Sequence, residues 1–152
     1  MQLIIVAIGK ARGSAEHQLA KDWLGRLTEG GSIHEIESKL PAGAKRTEDE
    51  GMRLLRAVPS GAALAILDPR GKDHSSEDLA TLIGAWRDTG YGSVAFAIGG
   101  ADGHAAAIRK KALRTISFGR ATWPHMLCRA MLAEQLYRAS MILAGHPYHR
   151  SN

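Results

Sequence analysis

The C-terminal run His146-Pro147-Tyr148-His149-Arg150 puts two imidazoles, a phenol and a guanidinium within five residues. Imidazole exchanges protons near neutral pH, and a guanidinium grips a phosphate or a carbonyl through a rigid fork of donors. A chain terminus ordinarily frays. Concentrating these groups there points to a tail that is held in place for proton transfer or anion recognition. The charge around it agrees. From His104 to Asn152 there are eight Lys and Arg residues against one acid, Glu134, whereas residues 1–103 carry a small acidic excess. The net charge of +5 therefore belongs to the last third of the chain. Such asymmetry suits an acidic partner, of which nucleic acid is the commonest. A solvated basic helix face is the plain alternative.

Composition bounds the rest. At 152 residues the chain is about one domain, expected to span 1–152, and long enough to bury a core. The single Cys128 rules out an internal disulfide framework and reads as a reduced thiol in an apolar, periodic segment. The apolar run near the N-terminus is six residues, too short for a signal core or a membrane span. The expectation is a soluble, cytoplasmic protein without a membrane partner. His17, His34 and His74 are scattered without metal-ligand spacing, so no metal is expected.

Elements that could position this chemistry alternate regularly. Leu3–Ile8 is a continuous, β-branched apolar run, as in a strand buried on both faces. Ser14 can cap a helix with Ala15, Leu19, Trp23 and Leu27 on its apolar face, closed by Gly30-Gly31. Ile33–Glu37 alternates like a short strand, and residues 39–46 read as a basic mobile loop. Thr47 and Glu50 have the spacing of a capping box before Met52, Leu55 and Val58. The pattern then repeats: a strand over Ala62–Leu67, a loop over Asp68–Lys72, and a helix capped by Ser75 or Ser76 carrying Leu79, Leu82, Ile83 and Trp86. A strand over Ser93–Ile98 leads into the glycine loop Gly99–Gly103. A short helix over Ala105–Ala112, a strand over Thr115–Phe118 and a long helix over Pro124–Leu143 complete the chain. This is an α/β domain with a mostly parallel sheet.

Ligands of such sheets bind beyond the carboxyl ends of the strands. Three loops qualify here: Asp68–Lys72, Gly99–Gly103 and Gly119–Thr122. The glycine loop matches neither the dinucleotide fingerprint nor a Walker loop. It is either a plain tight turn or a place where a ligand approaches the backbone closely. On the long helix only Glu134 and Arg138 have the spacing to pair. His125, in the first helical turn, suits a backbone hydrogen bond better than catalysis. Tyr137 suits core or subunit packing, Trp23 and Trp86 suit packing, and Trp123 could stack on a ligand or fill the core.

Taken in order, these segments resemble one family along nearly the whole chain. The segments are Ile8-Gly9-Lys10, Leu67-Asp68-Pro69-Arg70-Gly71-Lys72 and Phe96-Ala97-Ile98-Gly99-Gly100-Ala101-Asp102-Gly103. Thr122-Trp123-Pro124-His125-Met126-Leu127-Cys128-Arg129, Glu134-Gln135-Leu136-Tyr137-Arg138-Ala139 and the His146–Arg150 tail follow at the right spacing. The family is that of the small SPOUT-class methyltransferases of large-subunit ribosomal RNA, the RlmH or YbeA-like group. The resemblance implies a parallel sheet with a C-terminal trefoil knot, a homodimer, and S-adenosyl-L-methionine as cofactor. The implied reaction is methylation of N3 of a pseudouridine in 23S ribosomal RNA of the assembled ribosome. Position by position it implies cofactor contacts at Leu67, Gly99, Ile116, Ser117, Phe118, Gly119, Arg120 and Ala121, made mostly through the backbone. The run 116–121 departs from the family's usual Ser/Leu/Thr-rich version, and Ala101 stands where Pro is frequent.

Methyl transfer from a sulfonium needs an in-line approach and loss of the acceptor's proton, with no metal and no enzyme nucleophile. Tyr148, His149 and Arg150 are expected to reach the acceptor base, across a dimer interface if need be. His149 is the first choice of general base, with Arg150 or Arg129 holding a phosphate or a base carbonyl. Loss of the proton to water is the alternative. Arg109, Lys110, Lys111 and Arg114, with Lys39, Lys45 and Arg46, would meet RNA phosphates without reading sequence. Other functions open at this stage are a non-catalytic ribosome-binding factor, a methyltransferase of another RNA such as transfer RNA, and a flavodoxin-type nucleotide binder.

Overall fold

The computed structural model describes residues 1–149, so Arg150 lies outside the described residues. Five strands form one parallel sheet: β1 (Gln2–Ile8), β2 (Gly31–Ile36), β3 (Ala63–Asp73), β4 (Ser93–Ile98) and β5 (Arg114–Ser117), in the order β2-β1-β4-β3-β5. The helices are α1 (Ala15–Gly25), α2 (Ala44–Ala57), α3 (Ser76–Asp88), α4 (Ala106–Lys111) and α5 (His125–Leu143). Side chains alternate across β1. Leu3, Ile5 and Ala7 join a core with α1, α3 and α5, while Ile4, Val6 and Ile8 join a second core with α2 and α4. The central strands read as unbroken apolar runs because both faces are covered. No described helix is long and apolar enough to cross a membrane, and the described residues hold no cluster of potential metal ligands.

Local signals account for most boundaries. The Ser14 hydroxyl accepts from the His17 amide at 3.2 Å, and Ser75 forms a reciprocal capping box with Asp78. The long helix ends in a Schellman motif. Gly145, at φ 65°, donates to the Ile142 carbonyl and His146 to that of Met141, which turns the tail back along α5.

Four expectations are corrected. Helix α2 begins at Ala44, inside the basic segment 39–46, and its N-cap is Gly43. Thr47 and Glu50 form no capping box. They already lie within the helix, where the Thr47 hydroxyl turns back to the Gly43 carbonyl and the buried Glu50 pairs with Arg46 at 2.9 Å. Strand β3 runs through the expected loop 68–72, because after a bulge it pairs with β5 again: Leu67 and Lys72 both register with Ile116. The apolar faces are also rotated. Ala20 and Leu24 are the buried residues of α1 while Leu19 is exposed, and in α2 Leu54 is buried while Met52 is exposed.

Candidate functional site

Beyond the carboxyl ends of β4 and β5, and beside the bulge of β3 after Leu67, lies a cavity of about 550 Å³. That volume is typical of a small-molecule site. Its position follows from the sequence: β4 and β5 give way to glycine-containing turns, and the apolar run of β3 stops at Leu67 where the strand bulges. Six of the eight expected cofactor residues line it, namely Leu67, Gly99, Ile116, Phe118, Gly119 and Ala121. Ser117 and Arg120 do not. The buried Ser117 hydroxyl donates to the Gly119 carbonyl at 2.9 Å and so braces the loop, and Arg120 is exposed outside the cavity.

The 118–123 loop is held from several sides. The Trp123 indole N–H donates to the Phe118 carbonyl at 3.0 Å, and Asp73 accepts from the Gly119 amide at 3.2 Å. Trp123 thus both braces the loop and lines the cavity, with the residue still 38% exposed. Across the cavity, Gly99 presses on its own turn: a Cβ there would lie 3.0 Å from the Gly103 backbone. A Cβ on Gly100 would lie 2.6 Å from the Glu50 carboxylate. These glycines let the loop fold close to the strand ends and keep the mouth clear.

Charged and imidazole groups complete the wall. Asp68 accepts from the Arg70 side chain at 3.0 Å and from the Arg109 guanidinium at 2.5 Å. Burial alone would raise its carboxyl, but bonds from Arg70 and Arg109 outweigh burial and hold it well below the usual carboxylate range. His104, which the sequence did not single out, is buried and lines the cavity. Its Nε2–H donates to the Leu67 carbonyl at 2.9 Å, and its buried Nδ1 has no partner among the described residues. Burial is the main reason its pKa falls, so the ring stays neutral. His125 is likewise lowered, mainly by burial and then by Arg129, with Glu50 and the Gly100 backbone acting in the opposite direction. Cys128 lines the cavity with its thiol pushed up by burial.

Arg129 is corrected outright. It is fully buried, and its guanidinium donates to Glu35 at 2.7 Å, to the Ile8 carbonyl at 2.7 Å and to the Gly9 carbonyl at 2.6 Å. The arginine thus ties the carboxyl end of β1 to Glu35 of β2, and because its side chain is wholly buried its remaining donors, Nε among them, face the protein interior and not a phosphate at the surface. Its approach to Glu35 joins residues 94 apart in sequence.

The tail forms a second cluster against α5, α1 and α3. The Tyr148 ring meets Tyr137 edge-on at 5.0 Å and Trp23 at 6.1 Å, and the Arg138 guanidinium lies 4.9 Å from its centre. Its hydroxyl donates to Glu134 at 3.0 Å, and burial followed by this carboxylate raises its pKa. Arg138 also pairs with Glu134 at 2.7 Å. His149 lies between Arg138 and Glu77. Neither Tyr148 nor His149 lines the strand-end cavity of its own chain. A groove of about 540 Å³ separates the two, lined by Leu19, Trp23, Phe118, Met131 and Glu134 among others. Ile116 and Phe118 line both spaces.

Comparison with known proteins places this architecture. Residues 1–149 match the family described as "Predicted SPOUT methyltransferase". The chain is 49% identical over 151 residues to ribosomal RNA large subunit methyltransferase H of Paramagnetospirillum magneticum, covering 99% of each chain. It is 47% identical to the protein of the same name from Rhodospirillum centenum, over 99% of this chain and all of that one. Among solved structures, the SpoU methyltransferase AviRb from Streptomyces viridochromogenes, crystallised with the cofactor AdoMet, superposes with a TM-score of 0.51 at 10% identity. That alignment covers 95% of this chain and 61% of that one, and speaks for the fold.

Proposed function

Because the chain belongs to the SPOUT methyltransferase family, we propose that it is a ribosomal RNA methyltransferase using S-adenosyl-L-methionine to methylate N3 of a pseudouridine in 23S RNA of the assembled ribosome. The observation that carries this reading is the strand-end cavity, in which six of the positions expected to hold the cofactor converge. The cavity has the size and the glycine-lined mouth that such a ligand needs, and the AviRb chain, similar in fold, was crystallised with this cofactor. When bound, the cofactor supplies an electrophilic methyl group on a sulfonium sulfur.

The protein's own groups then have distinct tasks. Leu67, Gly99, Ile116, Phe118, Gly119 and Ala121 present backbone and apolar surface to the cofactor, and Ser117 and Trp123 hold the loop that carries it. His149 takes the imide proton of the acceptor, with Tyr148 and Arg150 at the base beside it. Phosphate contacts fall to the basic helix α4, through Lys110 and Lys111, with Arg114, Lys39 and Lys45. Arg109 is committed to Asp68, and Arg46 to Glu50.

The reading includes a homodimer of one-domain chains, 1–152, each with the C-terminal trefoil knot, working in the cytoplasm. Helix α5 supports the dimer. It buries Leu132 and Leu136 on one side yet leaves Met126, Leu127 and Met131 half-buried on others, the last two in one groove with the exposed Leu19 of α1. A helix that is apolar on all sides asks to be covered. In a dimer, one protomer's tail would meet the partner's strand-end cavity.

The test is methyl transfer from labelled S-adenosylmethionine to ribosomes from a strain lacking the modification, with the product nucleoside identified. N3-methylpseudouridine in large-subunit RNA is the expected product. A different methylated nucleoside, or methylation of free transfer RNA instead, would overturn the assignment.

A further inference from the structure

We propose that Glu77, in the first turn of α3, is a positioning residue that fixes the orientation and tautomer of His149. The proposal rests on the reading of His149 as general base. Glu77 Oε1 lies 2.7 Å from His149 Nε2, across 72 residues of sequence. A carboxylate only accepts, so Nε2 carries the hydrogen and Nδ1 is left with the lone pair. The second contact agrees, since Arg138 Nη1 donates to Nδ1 at 3.4 Å. The ring is thereby held at both nitrogens, by an acid on α3 and a base on α5, with its side chain only 17% exposed.

Glu77 is itself held ready. Its carboxyl is kept low first by the bond with His149, then by its own amide and by the Ser75 hydroxyl. The N-terminus of α3 favours a negative charge there. Arg138 is meanwhile paired with Glu134, which also accepts from Tyr148. The only basic lone pair left on His149 is Nδ1, and its single neighbour among the described residues is the long Arg138 contact, which a substrate can displace. In the proton step the imide N3–H gives its proton to Nδ1, and the imidazolium so formed keeps Nε2–H on Glu77. The positive charge is balanced by that carboxylate, and the proton passes to water after turnover. An orienting carboxylate on the far nitrogen of a working histidine is a recurrent device.

A His–Glu pair whose carboxylate is about half exposed is by default worth little, so the test must read orientation and not stability. The full chain is assayed on ribosomes lacking the modification, with S-adenosylmethionine saturating, for wild type, Glu77→Gln, Glu77→Asp, His149→Ala and the Glu77→Gln/His149→Ala double variant. Glu77→Gln is expected to lower kcat by about 10- to 100-fold with KM for ribosomes and cofactor affinity unchanged. Glu77→Asp should restore much of the rate. In the His149→Ala background Glu77→Gln should cost nothing more, since the two act as a unit. Wild-type kcat for Glu77→Gln beside an inactive His149→Ala would overturn the role of Glu77 alone, as would an equal cost of Glu77→Gln in both backgrounds. Wild-type turnover by His149→Ala would overturn the tail's role as base, and the proposal for Glu77 with it.

Discussion

The histidines in the wall of the strand-end cavity tie its shape to pH. His104 and His125 both have pKa values lowered from 6.5, chiefly by burial. The unfolded chain therefore takes up protons at these sites before the folded chain does. Stability is complete above about pH 6.5 and declines as pH falls from there toward the folded values. Asp68 acts lower down. Its carboxyl titrates below the ordinary 3.8, so its contribution is present above that value and is lost only under it. Urea melts at stepped pH should show a loss as pH falls below about 6.5 that shrinks in His104→Leu; an unchanged slope in that variant would exclude His104 as a source. Gly99 is the other sensitive position. Gly99→Leu would drive a side chain into the Gly103 backbone and His104. It should weaken S-adenosylmethionine binding at least about tenfold, or about 1.4 kcal/mol, by calorimetry. The strand before it marked the Gly99–Gly103 loop in the sequence, and the family resemblance implied Gly99 itself as a cofactor contact. Sequence reading could not find His104 or Glu77, whose partners lie 37 and 72 residues away and leave no local pattern.

Elements were legible where both faces of a strand are covered or where a cap is local, as in β1, β4 and the Ser75–Asp78 box of α3. They were not legible where tertiary contact overrides propensity. Asp-Pro-Arg-Gly reads as a loop, yet β3 resumes its pairing at Lys72 because residues 68–71 arch over Ile116. Gly71 sits at that crossing. A Cβ would come within 2.8 Å of backbone atoms of Thr115 and Ile116, which have no side-chain rotamer to yield. Gly71→Ala is therefore expected to cost about 1–3 kcal/mol or more by overpacking, read as a fall in the urea midpoint. Arg129 looked like a phosphate ligand for a similar reason: nothing in the spacing of α5 says that it faces the end of β1. Replacing it by Met takes the cation from Glu35, leaving it the Ala11 amide, and removes the donor to two strand-end carbonyls. The expected loss is about 3–5 kcal/mol, the usual cost of removing one partner of a buried pair. Loss of activity without loss of stability in Arg129→Met would return it to the list of RNA ligands.

At the scale of the whole molecule, one chain divides what the proposed reaction needs. The cavity lies beyond β4 and β5 and beside the bulge of β3, while Tyr148 and His149 are docked on α5, α1 and α3, across the groove walled by Phe118 and Met131. The exposed Leu19 and the half-buried Leu127 and Met131 line that groove. A two-fold interface there would be self-complementary and would bring each tail toward the other chain's cavity. Mixing experiments can separate this arrangement from one in which each chain works alone. One variant ends after Gly145 and keeps its cavity; the other carries Gly99→Leu and keeps its tail. Each homodimer should be nearly inactive. If tails serve the partner, half of a random mixture is heterodimer, and each heterodimer has one complete site of two. The mixture then recovers about a quarter of wild-type turnover. If each tail serves its own chain, no complete site can form, and the mixture stays at the level of the separate variants.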